Sequence, residues 1–351
     1  MSDDGSLISV RQVSKHFDAG QSILSRLAGE PRAAVHALNG IDLDITRGET
    51  LGVVGESGCG KSTLARCLVR LHDPDEGTIL FENRDIGHLK GGARRAFNRR
   101  VQMIFQDPYS SLNPRLTVRR MLSEALTVHR MRPRGEIDGR IAELLDLVRL
   151  PSDAAERYPH EFSGGQRQRI GIARALALEP DVLVADELVS ALDVSVQAQV
   201  INLLLTLQEE LSLTVVFVAH DLRLVRHISH RVAVMYLGRI VEIAPTEALF
   251  STPRHPYSKA LLDAAPDLDP AKRTRVAAAR GELPSPLDIP PGCPFNTRCP
   301  YAFDRCFTER PTLDPRAPGH RAACHLTEFA GGLPEQSNEA VAERQKEENR
   351  A

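Results

Sequence analysis

The segment from Gly55 to Thr63 constrains the fold of this chain more than any other part, because it matches the pattern G-x-x-x-x-G-K-S/T without a mismatch. It follows the apolar run at 51–54 and precedes the helix-like segment at 63–68, which is the order that a phosphate-binding loop requires. Glycines let such a loop wrap closely around a polyphosphate, where backbone N–H groups and the helix N-terminus meet negative charge. The alternative is an accidental glycine-rich turn, but such a turn has no reason to lie between a strand-like run and a helix-like segment. The sequence therefore predicts a nucleotide site formed by Gly55, Glu56, Ser57, Gly58, Cys59, Gly60, Lys61, Ser62 and Thr63.

Length and charge limit the class of protein. The chain has 351 residues, enough for two or three domains, and its formal net charge of −2 gives no basic field of the kind a dedicated nucleic-acid binder carries. Its first residues lack the positive and apolar regions of a secretory signal, and no apolar run reaches the roughly eighteen residues of a membrane-spanning helix. We therefore expect a cytoplasmic protein that associates with a membrane only through a partner.

Polar and charged side chains are predicted to complete the nucleotide site. Lys61 is expected to reach the β- and γ-phosphates, and the Ser62 hydroxyl to ligate Mg²⁺. Asp186 and Glu187 directly follow the apolar run at 182–185, and the carboxyl edge of a sheet is where a Mg²⁺-coordinating Asp is expected. A solvated acidic strand end is the alternative, and the loop upstream disfavours it. Glu187 is then placed to polarise the attacking water.

Two further residues gain meaning only as members of this set. Gln106 follows the strand-like run at 101–105 and offers an amide oxygen to Mg²⁺ or to the water. His220 ends the apolar run at 214–219 and is placed to donate to the γ-phosphate, although a lone His after a strand is more often structural. We therefore include Gln106 and His220 as candidates for catalysis.

A second candidate anion site lies at Ser163, Gly164, Gly165 and Gln166. A serine and two glycines at the start of a predicted helix place backbone N–H groups toward negative charge. One nucleotide has a single triphosphate, whereas the chain offers two separate binders. The simplest resolution is a head-to-tail dimer in which each ATP lies between the phosphate loop of one chain and the Ser-Gly-Gly segment of the other.

In kind and in order, these motifs resemble those of ATP-binding-cassette ATPases, and the resemblance covers roughly residues 5 to 250. It implies that Glu187 is the catalytic base, His220 the switch histidine and Asp193 the D-loop aspartate. It also implies that Mg²⁺ is held by Ser62, Gln106 and Asp186. Phe17 resembles the aromatic residue that stacks on adenine, with a core position as the alternative.

The same resemblance implies the fold and the domains. It predicts an α/β P-loop NTPase, with a RecA-like core, an antiparallel β subdomain and a helical subdomain at about 107–178, the part of the family fold that docks on the permease. We place the nucleotide-binding domain at 1–250 and a small cysteine-containing C-terminal domain at 251–326. The polar segment at 327–351 is predicted to be disordered.

Leu188 departs from the family pattern, which has proline after the Walker B glutamate. A proline would pre-set the backbone beside the base. We expect Leu188 to loosen the D-loop and to slow hydrolysis, while Asp186 and Glu187 keep the chemistry.

The region after Pro245 indicates which subfamily of ATP-binding-cassette ATPases the chain resembles. The segments 255–262 and 105–115 resemble those of oligopeptide/dipeptide (and nickel) importer ATPases, in particular the second of the two non-identical ATPase subunits that such importers carry. The resemblance implies a heterodimer with a homologous second ATPase, two transmembrane permease subunits, a solute-binding protein as an indirect partner, and no nucleic acid. It places the chain on the cytoplasmic face of the inner membrane, where ATP hydrolysis powers peptide import. The alternatives are import of nickel or another small solute, a non-transport cassette ATPase, and a subunit that binds ATP without turnover.

Six cysteines in a reducing compartment favour thiols or metal ligands over disulfides. The spacings of the last four cysteines, with 5, 6 and 17 residues between them, match neither ferredoxin pairs nor structural zinc pairs, so spacing alone selects no metal. Two alternatives therefore remain on spacing alone: a zinc site that His320 or His325 could join, and thiols that bind no metal. The resemblance to the importer family implies a 4Fe-4S cluster held by Cys293, Cys299, Cys306 and Cys324.

Overall fold

The computed structural model describes residues 5–18, 34–107, 111–264, 284–285 and 287–326. The segment at 327–351, which is predicted to be disordered, lies outside these residues. Within them, no helix is both long and apolar enough to cross a lipid bilayer. The strands are β1 (Ser6–Asp18), β2 (Ala34–Thr46), β3 (Thr50–Val54), β4 (Glu76–Phe81), β5 (Arg84–Asp85), β6 (Val101–Ile104), β7 (Val182–Asp186), β8 (Thr214–Val218), β9 (Arg231–Tyr236), β10 (Arg239–Pro245), β11 (Asp314–Ala317) and β12 (His320–Ala322). The α-helices are α1 (Lys61–Leu68), α2 (Gly91–Arg100), α3 (Val118–Val128), α4 (Ile137–Leu147), α5 (Gly164–Leu176), α6 (Val194–Glu210), α7 (Leu222–Ile228), α8 (Thr246–Ser251), α9 (Pro256–Ala264) and α10 (Asp304–Thr308).

An eight-stranded sheet forms the centre of the fold, in the order β11-β12-β10-β9-β3-β8-β7-β6. The strands β9, β3, β8, β7 and β6 run parallel to one another, whereas β10 is antiparallel to β9. Every residue of β3, β7 and β8 is buried, as the continuous apolar runs predict for strands covered by helices on both faces. Their carboxyl ends therefore open at one edge of the sheet, where a ligand site is expected.

A second, antiparallel sheet has the order β2-β1-β4-β5. Its inward-facing residues, among them Val10, Leu43 and Ile79, share one hydrophobic cluster with the phosphate-loop helix α1. This is the antiparallel β subdomain that the sequence predicts. It fixes the position of Phe17 near the end of β1, opposite Val35 of β2.

The helices α3, α4 and α5 form a layer next to β6 and β7. Met121, Leu122 and Leu126 of α3 are buried together with Ile141 and Leu144 of α4, as the apolar spacing of three and four residues predicts. Thr117 caps α3, because its side chain accepts a hydrogen bond from the amide of Arg120. This layer carries the start of α5, where Ser163 and the two glycines lie.

The C-terminal segment continues the central sheet. In the register of β10 and β12, Glu242 lies opposite Ala322, and β11 then forms the last strand of the sheet. The sequence pattern predicts neither these two short strands nor helix α2. The predicted boundary near residue 250 thus separates two regions of sequence whose strands share one sheet.

Candidate functional site

The phosphate loop joins β3 to α1, and its glycines are required by close backbone contacts. A Cβ atom on Gly60, whose φ is 104°, would lie 2.2 Å from the carbonyl oxygen of Ala37. A Cβ atom on Gly55 would lie 2.2 Å from the carbonyl oxygen of Met235. The loop is therefore held against two neighbouring strands in a shape that only glycine permits at these positions.

Lys61 is almost completely buried, with 5% of its surface exposed. Its Nζ atom donates to the carbonyl oxygen of Gly55 at 2.8 Å and to that of Glu56 at 2.9 Å. An ammonium group that bridges two neutral carbonyl groups at the mouth of the loop can exchange them for phosphate oxygens, which are stronger, charged acceptors.

Ser62 and Asp186 come together across the carboxyl edge of the sheet. The Ser62 hydroxyl donates to Oδ1 of Asp186 at 2.9 Å. Burial raises the pKa of Asp186, and the hydrogen bond from Ser62 opposes that change by stabilising the carboxylate. Hydroxyl and carboxylate oxygens are ligands that Mg²⁺ prefers, so the residues present fit this ion.

Gln106 and Glu187 form a second pair at the same edge. Nε2 of Gln106 donates to Oε2 of Glu187 at 2.7 Å. The backbone of Glu187 has a φ of 47°, and its amide donates to the carbonyl oxygen of Val218 in β8. The half-buried carboxylate is therefore aimed by the sheet on one side and by an amide side chain on the other.

His220 reaches the same place from the end of β8. Glu187 and His220 line one pocket of about 40 Å³, which is room for a water molecule. Leu188 lies in the wall of this pocket and is 1% exposed. Glu187, His220 and Leu188, the residue that replaces the family's proline, therefore line the same small cavity.

Ser163 caps helix α5 in a reciprocal arrangement. Its hydroxyl accepts from the amide of Gln166 at 3.3 Å, and the side chain of Gln166 accepts from the amide of Ser163 at 3.0 Å. Gly165 packs closely on α6, since a Cβ atom there would lie 2.3 Å from Cγ1 of Val196. In the described part of the chain, no hydrogen bond connects Ser163 or Gln166 to the phosphate loop.

The other predicted nucleotide contacts lie at the surface. Asp193 is exposed at the start of α6, and the adjacent Val194 is 81% exposed. Phe17 is 36% exposed, with its ring centroid 5.4 Å from that of His72 in an edge-on arrangement. Phe17 is therefore not a core residue, and its ring is accessible to a base.

A groove of about 860 Å³ lies between β6 and the helical layer, and the sequence analysis did not identify it. Phe105 and Arg174 contribute to its walls, as do Leu71 and Val128, which are 55% and 69% exposed. Large apolar side chains exposed around a groove indicate a surface that binds another protein.

Glu56 has a partner that the sequence analysis also missed. Nη1 and Nη2 of Arg298 donate to the two carboxylate oxygens of Glu56 at 2.9 and 3.0 Å, across a separation of 242 residues. The amide of Glu56 donates to the hydroxyl oxygen of Tyr257 at 2.9 Å. The segment that carries the cysteines therefore contacts the phosphate loop directly.

The fold brings the four C-terminal cysteines into one neighbourhood. Burial raises the pKa of the Cys293 thiol, that of Cys299 to about 12 and that of Cys324 to about 11, and other cysteines of the set contribute to each increase. The amide of Cys293 donates to the carbonyl oxygen of Cys306 at 2.8 Å.

The described residues contain no three His, Cys, Asp or Glu side chains that meet at the position of a single metal ion. Nε2 of His320 contacts Glu242 at 2.6 Å, and that of His325 contacts the carbonyl oxygen of Glu309 at 2.8 Å. Neither histidine therefore supports the zinc alternative through that nitrogen. Thiolate sulfur is a ligand of both zinc and iron–sulfur centres, so the four residues match such groups in donor chemistry, although the described residues show no formed metal position.

Two family models match the chain. Residues 38–190 match the model of the ABC transporter family, and residues 241–306 match that of the oligopeptide/dipeptide transporter C-terminal region.

Curated relatives are similar over most of the chain. A putative oligopeptide transport ATP-binding protein of Bacillus subtilis is 51% identical over 324 residues, which cover 91% of this chain and 95% of the relative. A probable peptide ABC transporter ATP-binding protein of Sinorhizobium fredii is 53% identical over 292 residues, which cover 83% of each chain.

Among solved structures, a subunit of an ABC transporter complex from Clostridium perfringens superposes with a TM-score of 0.61 and 28% identity, over 70% of this chain and 91% of that one. A dimeric ATP-binding cassette with bound ADP and phosphate superposes with a TM-score of 0.59 and 28% identity, over 68% of this chain and 98% of that one. The match to such cassettes agrees with the P-loop NTPase fold expected from the sequence.

Proposed function

The chain belongs to the oligopeptide transport ATP-binding proteins of the ABC transporter family, and from that membership we propose that it hydrolyses ATP to power the import of peptides through a membrane permease. The observation that carries the proposal is the meeting of two polar pairs, Ser62–Asp186 and Gln106–Glu187, at the end of the phosphate loop. These pairs supply oxygen ligands for a cation and an oriented carboxylate within one site. Membership in the peptide branch rests on the relatives and on the matched C-terminal region.

The phosphate loop binds the triphosphate of ATP. Backbone N–H groups of residues 57–62 and the ammonium of Lys61 surround the β- and γ-phosphates, and the ring of Phe17 stacks on the adenine. Mg²⁺, held by Ser62, Asp186 and Gln106, would neutralise charge on the phosphate oxygens.

Hydrolysis uses the second polar pair. Glu187 accepts a proton from the attacking water, while Gln106 holds the Glu187 carboxylate in orientation and His220 donates a hydrogen bond to the γ-phosphate. The water oxygen forms a bond to the γ-phosphorus as the bond to the bridging oxygen breaks, so that ADP and phosphate leave.

We place the second half of each site on a homologous, non-identical ATPase subunit. Ser163 and Asp193 are exposed, and Gly164 and Gln166 are half-buried. In a head-to-tail heterodimer they contact the ATP bound by the other subunit. ATP binding then closes the dimer, and hydrolysis reopens it.

The groove beside the helical layer is proposed to bind the permease. Its exposed apolar side chains, Leu71 and Val128 among them, provide a surface for a segment of a transmembrane subunit. We place the chain on the cytoplasmic face of the inner membrane, bound to two permease subunits that receive cargo from a solute-binding protein. Nucleic acid has no role in this assignment.

The four C-terminal cysteines are proposed to hold a 4Fe-4S cluster. Their mutual proximity and soft donor character support that assignment. The test is to measure iron and acid-labile sulfide in anaerobically purified protein, both unaltered and with Cys306→Ser. Cys67→Ser, which removes a buried thiol of α1 outside the set, is the control. Loss of iron in Cys306→Ser alone supports the cluster, and absence of iron and sulfide from the unaltered protein contradicts it.

The transport assignment is tested by affinity purification of the chain from detergent-solubilised native membranes. We expect two multi-span permeases, a second cassette ATPase and a solute-binding protein to co-purify. The bound solute-binding protein can then be assayed with peptides and with nickel, which separates the two cargo classes. Recovery of ribosomal proteins or nucleic acid without any membrane protein would overturn the transport assignment.

A further inference from the structure

Glu56, the second residue of the phosphate loop, is held by three different groups. Its carboxylate accepts two hydrogen bonds from Arg298, its amide donates to the Tyr257 hydroxyl, and its carbonyl oxygen accepts from Lys61. Two of these three partners, Tyr257 and Arg298, come from the C-terminal region. The phosphate loop is therefore anchored from outside the nucleotide-binding motifs.

The Arg298–Glu56 pair has the geometry of a strong interaction. Two parallel N–H···O bonds to both carboxylate oxygens fix orientation as well as distance. The side chain of Arg298 is only 8% exposed and that of Glu56 is 28% exposed, so water competes weakly for these bonds. The guanidinium carbon also lies 5.9 Å from the ring centroids of both Tyr236 and Phe295. Two aromatic rings therefore border the guanidinium group of Arg298 in addition to its bonds to Glu56.

A buried aromatic cluster, formed by Tyr236, Tyr257 and Phe295, supports both anchoring residues. Their ring centroids are separated by 4.6, 5.3 and 5.4 Å. Tyr236 directly follows Met235, whose carbonyl oxygen leaves no room for a side chain at Gly55. Phe295 lies between Cys293 and Cys299, and Arg298 directly precedes Cys299. The cysteine segment, the cluster and the loop thus form one continuous set of contacts.

The role of Lys61 shows why this anchoring matters for nucleotide binding. The Lys61 ammonium holds the carbonyl oxygen of Glu56, and it must turn toward the phosphates when ATP binds. Glu56 then loses that bond but keeps the bonds to Arg298 and Tyr257. The loop backbone stays in place while its lysine changes partners, so less ordering is required at the moment of binding.

We propose that Arg298 and Tyr257 are positioning residues of the ATP site, which hold Glu56 so that the phosphate loop is preorganised for the triphosphate. The proposal rests on the ATPase function inferred above and extends it to the C-terminal segment. The plain structural alternative is that the same contacts only attach this segment to the core.

Steady-state ATPase kinetics of Arg298→Ala and Tyr257→Phe distinguish the two roles. We expect KM for ATP to rise about tenfold in Arg298→Ala, equivalent to about 1.4 kcal/mol, and roughly threefold in Tyr257→Phe, which keeps the ring and loses one hydrogen-bond acceptor. The value of kcat should change by less than about twofold, because neither residue contacts the reacting atoms. Arg298→Lys keeps the charge without the paired geometry and should give an intermediate KM.

Arg305→Ala is the matched control. Arg305 lies in the same segment and pairs with Glu309 at the surface, where both side chains are more than half exposed. Its KM should equal that of the unaltered protein. A lower melting temperature with unchanged KM in Arg298→Ala and Tyr257→Phe would overturn the proposal and leave only the attachment role.

Equilibrium binding of a fluorescent ATP analogue separates this proposal from the proposed function. Failure of the unaltered protein to bind the analogue would reject the ATP site itself. Tight binding by the unaltered protein and equally tight binding by both variants would reject only the positioning role. In a double-mutant cycle, Glu56→Gln should weaken binding by itself and add little to Arg298→Ala, whereas additive losses would show that the two side chains act independently.

Discussion

Nε2 of Gln106 lies 2.7 Å from Oε2 of Glu187, and this bond joins the ends of two adjacent parallel strands. In their register Ile104 lies opposite Ala185, so the residues two positions further on emerge side by side. The amide of Gln106 therefore orients the carboxylate that we assign to activation of water. Gln106 and Glu187, which are 81 positions apart in sequence, thus belong to one catalytic arrangement.

Glu187→Gln tests that assignment. The amide keeps the size and a hydrogen-bonding oxygen but does not accept a proton from water, so kcat should fall by at least about a hundredfold. Binding of ATP should be retained, because the phosphate loop is unchanged. The measurement is ATP turnover beside equilibrium nucleotide binding, with Glu209→Gln, an exposed carboxylate of α6, as the control. Turnover within about threefold of the unaltered rate would remove Glu187 from the catalytic role.

Ser163→Ala separates helix capping from a role in ATP hydrolysis. Ser163 and Thr117 each cap a helix through a side-chain oxygen, so alanine at either position should lower the free energy of unfolding by about 1 kcal/mol. Only Ser163→Ala should also lower the ATPase rate of the assembled transporter, because only Ser163 is assigned to ATP on the other subunit. Chemical denaturation and ATPase assays of both variants are the measurements. Equal ATPase rates in the two variants would mean that Ser163 only caps helix α5 and has no role in ATP hydrolysis.

Gly60→Ala should disable the phosphate loop more severely than Gly58→Ala. Both glycines have positive φ, at 104° and 80°, so alanine strains the backbone at each position by about 1 kcal/mol. Only at Gly60 does the new Cβ atom also meet backbone, 2.2 Å from the carbonyl oxygen of Ala37. Melting temperature and ATP affinity of the two variants provide the comparison. An equal loss in both would mean that the contact with Ala37 relaxes freely.

Glu82 should make stability depend on pH in the acid range. Hydrogen bonds from Arg100, joined by Arg47, lower the pKa of Glu82 to about 2 from its ordinary value of 4.5. The folded state therefore holds the proton less tightly than the unfolded state. The stabilisation is full above about pH 4.5 and is lost as the pH falls toward 2.

Glu82→Gln removes this contribution. The side chain of Glu82 is 40% exposed, so solvent screening should keep the difference below about 1 kcal/mol. Denaturant unfolding of Glu82→Gln and the unaltered protein should differ more at pH 7 than at pH 3.5. Glu210→Gln, at the exposed end of α6, is the control. A difference that is constant over this range would contradict the assigned shift.

Leu188→Pro tests the departure from the family pattern. Proline restricts both its own backbone and that of the preceding residue, here Glu187, and should raise ATP turnover by limiting motion of the D-loop. It also removes a buried leucine side chain, so the melting temperature should fall. Turnover measured at a temperature where both proteins are folded decides the matter, and equal rates would mean that Leu188 does not slow hydrolysis.

Much of the fold could be predicted from local sequence. The buried strands β3, β7 and β8 follow from continuous apolar runs. Helices α3 and α4 follow from apolar residues spaced by three and four positions. The strands β11 and β12 escaped prediction because they are only four and three residues long, and the pairing of β12 with β10 depends on residues about 80 positions upstream.

The sequence by itself determined the phosphate loop, the two adjacent carboxylates at the end of β7 and the Ser-Gly-Gly start of α5, because each depends on residues that are neighbours along the chain. Only the tertiary structure decided that Gln106 orients Glu187, that the cysteines lie together and that Arg298 holds Glu56. The last contact joins residues 242 positions apart. No local pattern specifies such a pair, since an arginine between cysteines and a glutamate in a loop are each ordinary surface residues until the folded chain buries the arginine and partly buries the glutamate.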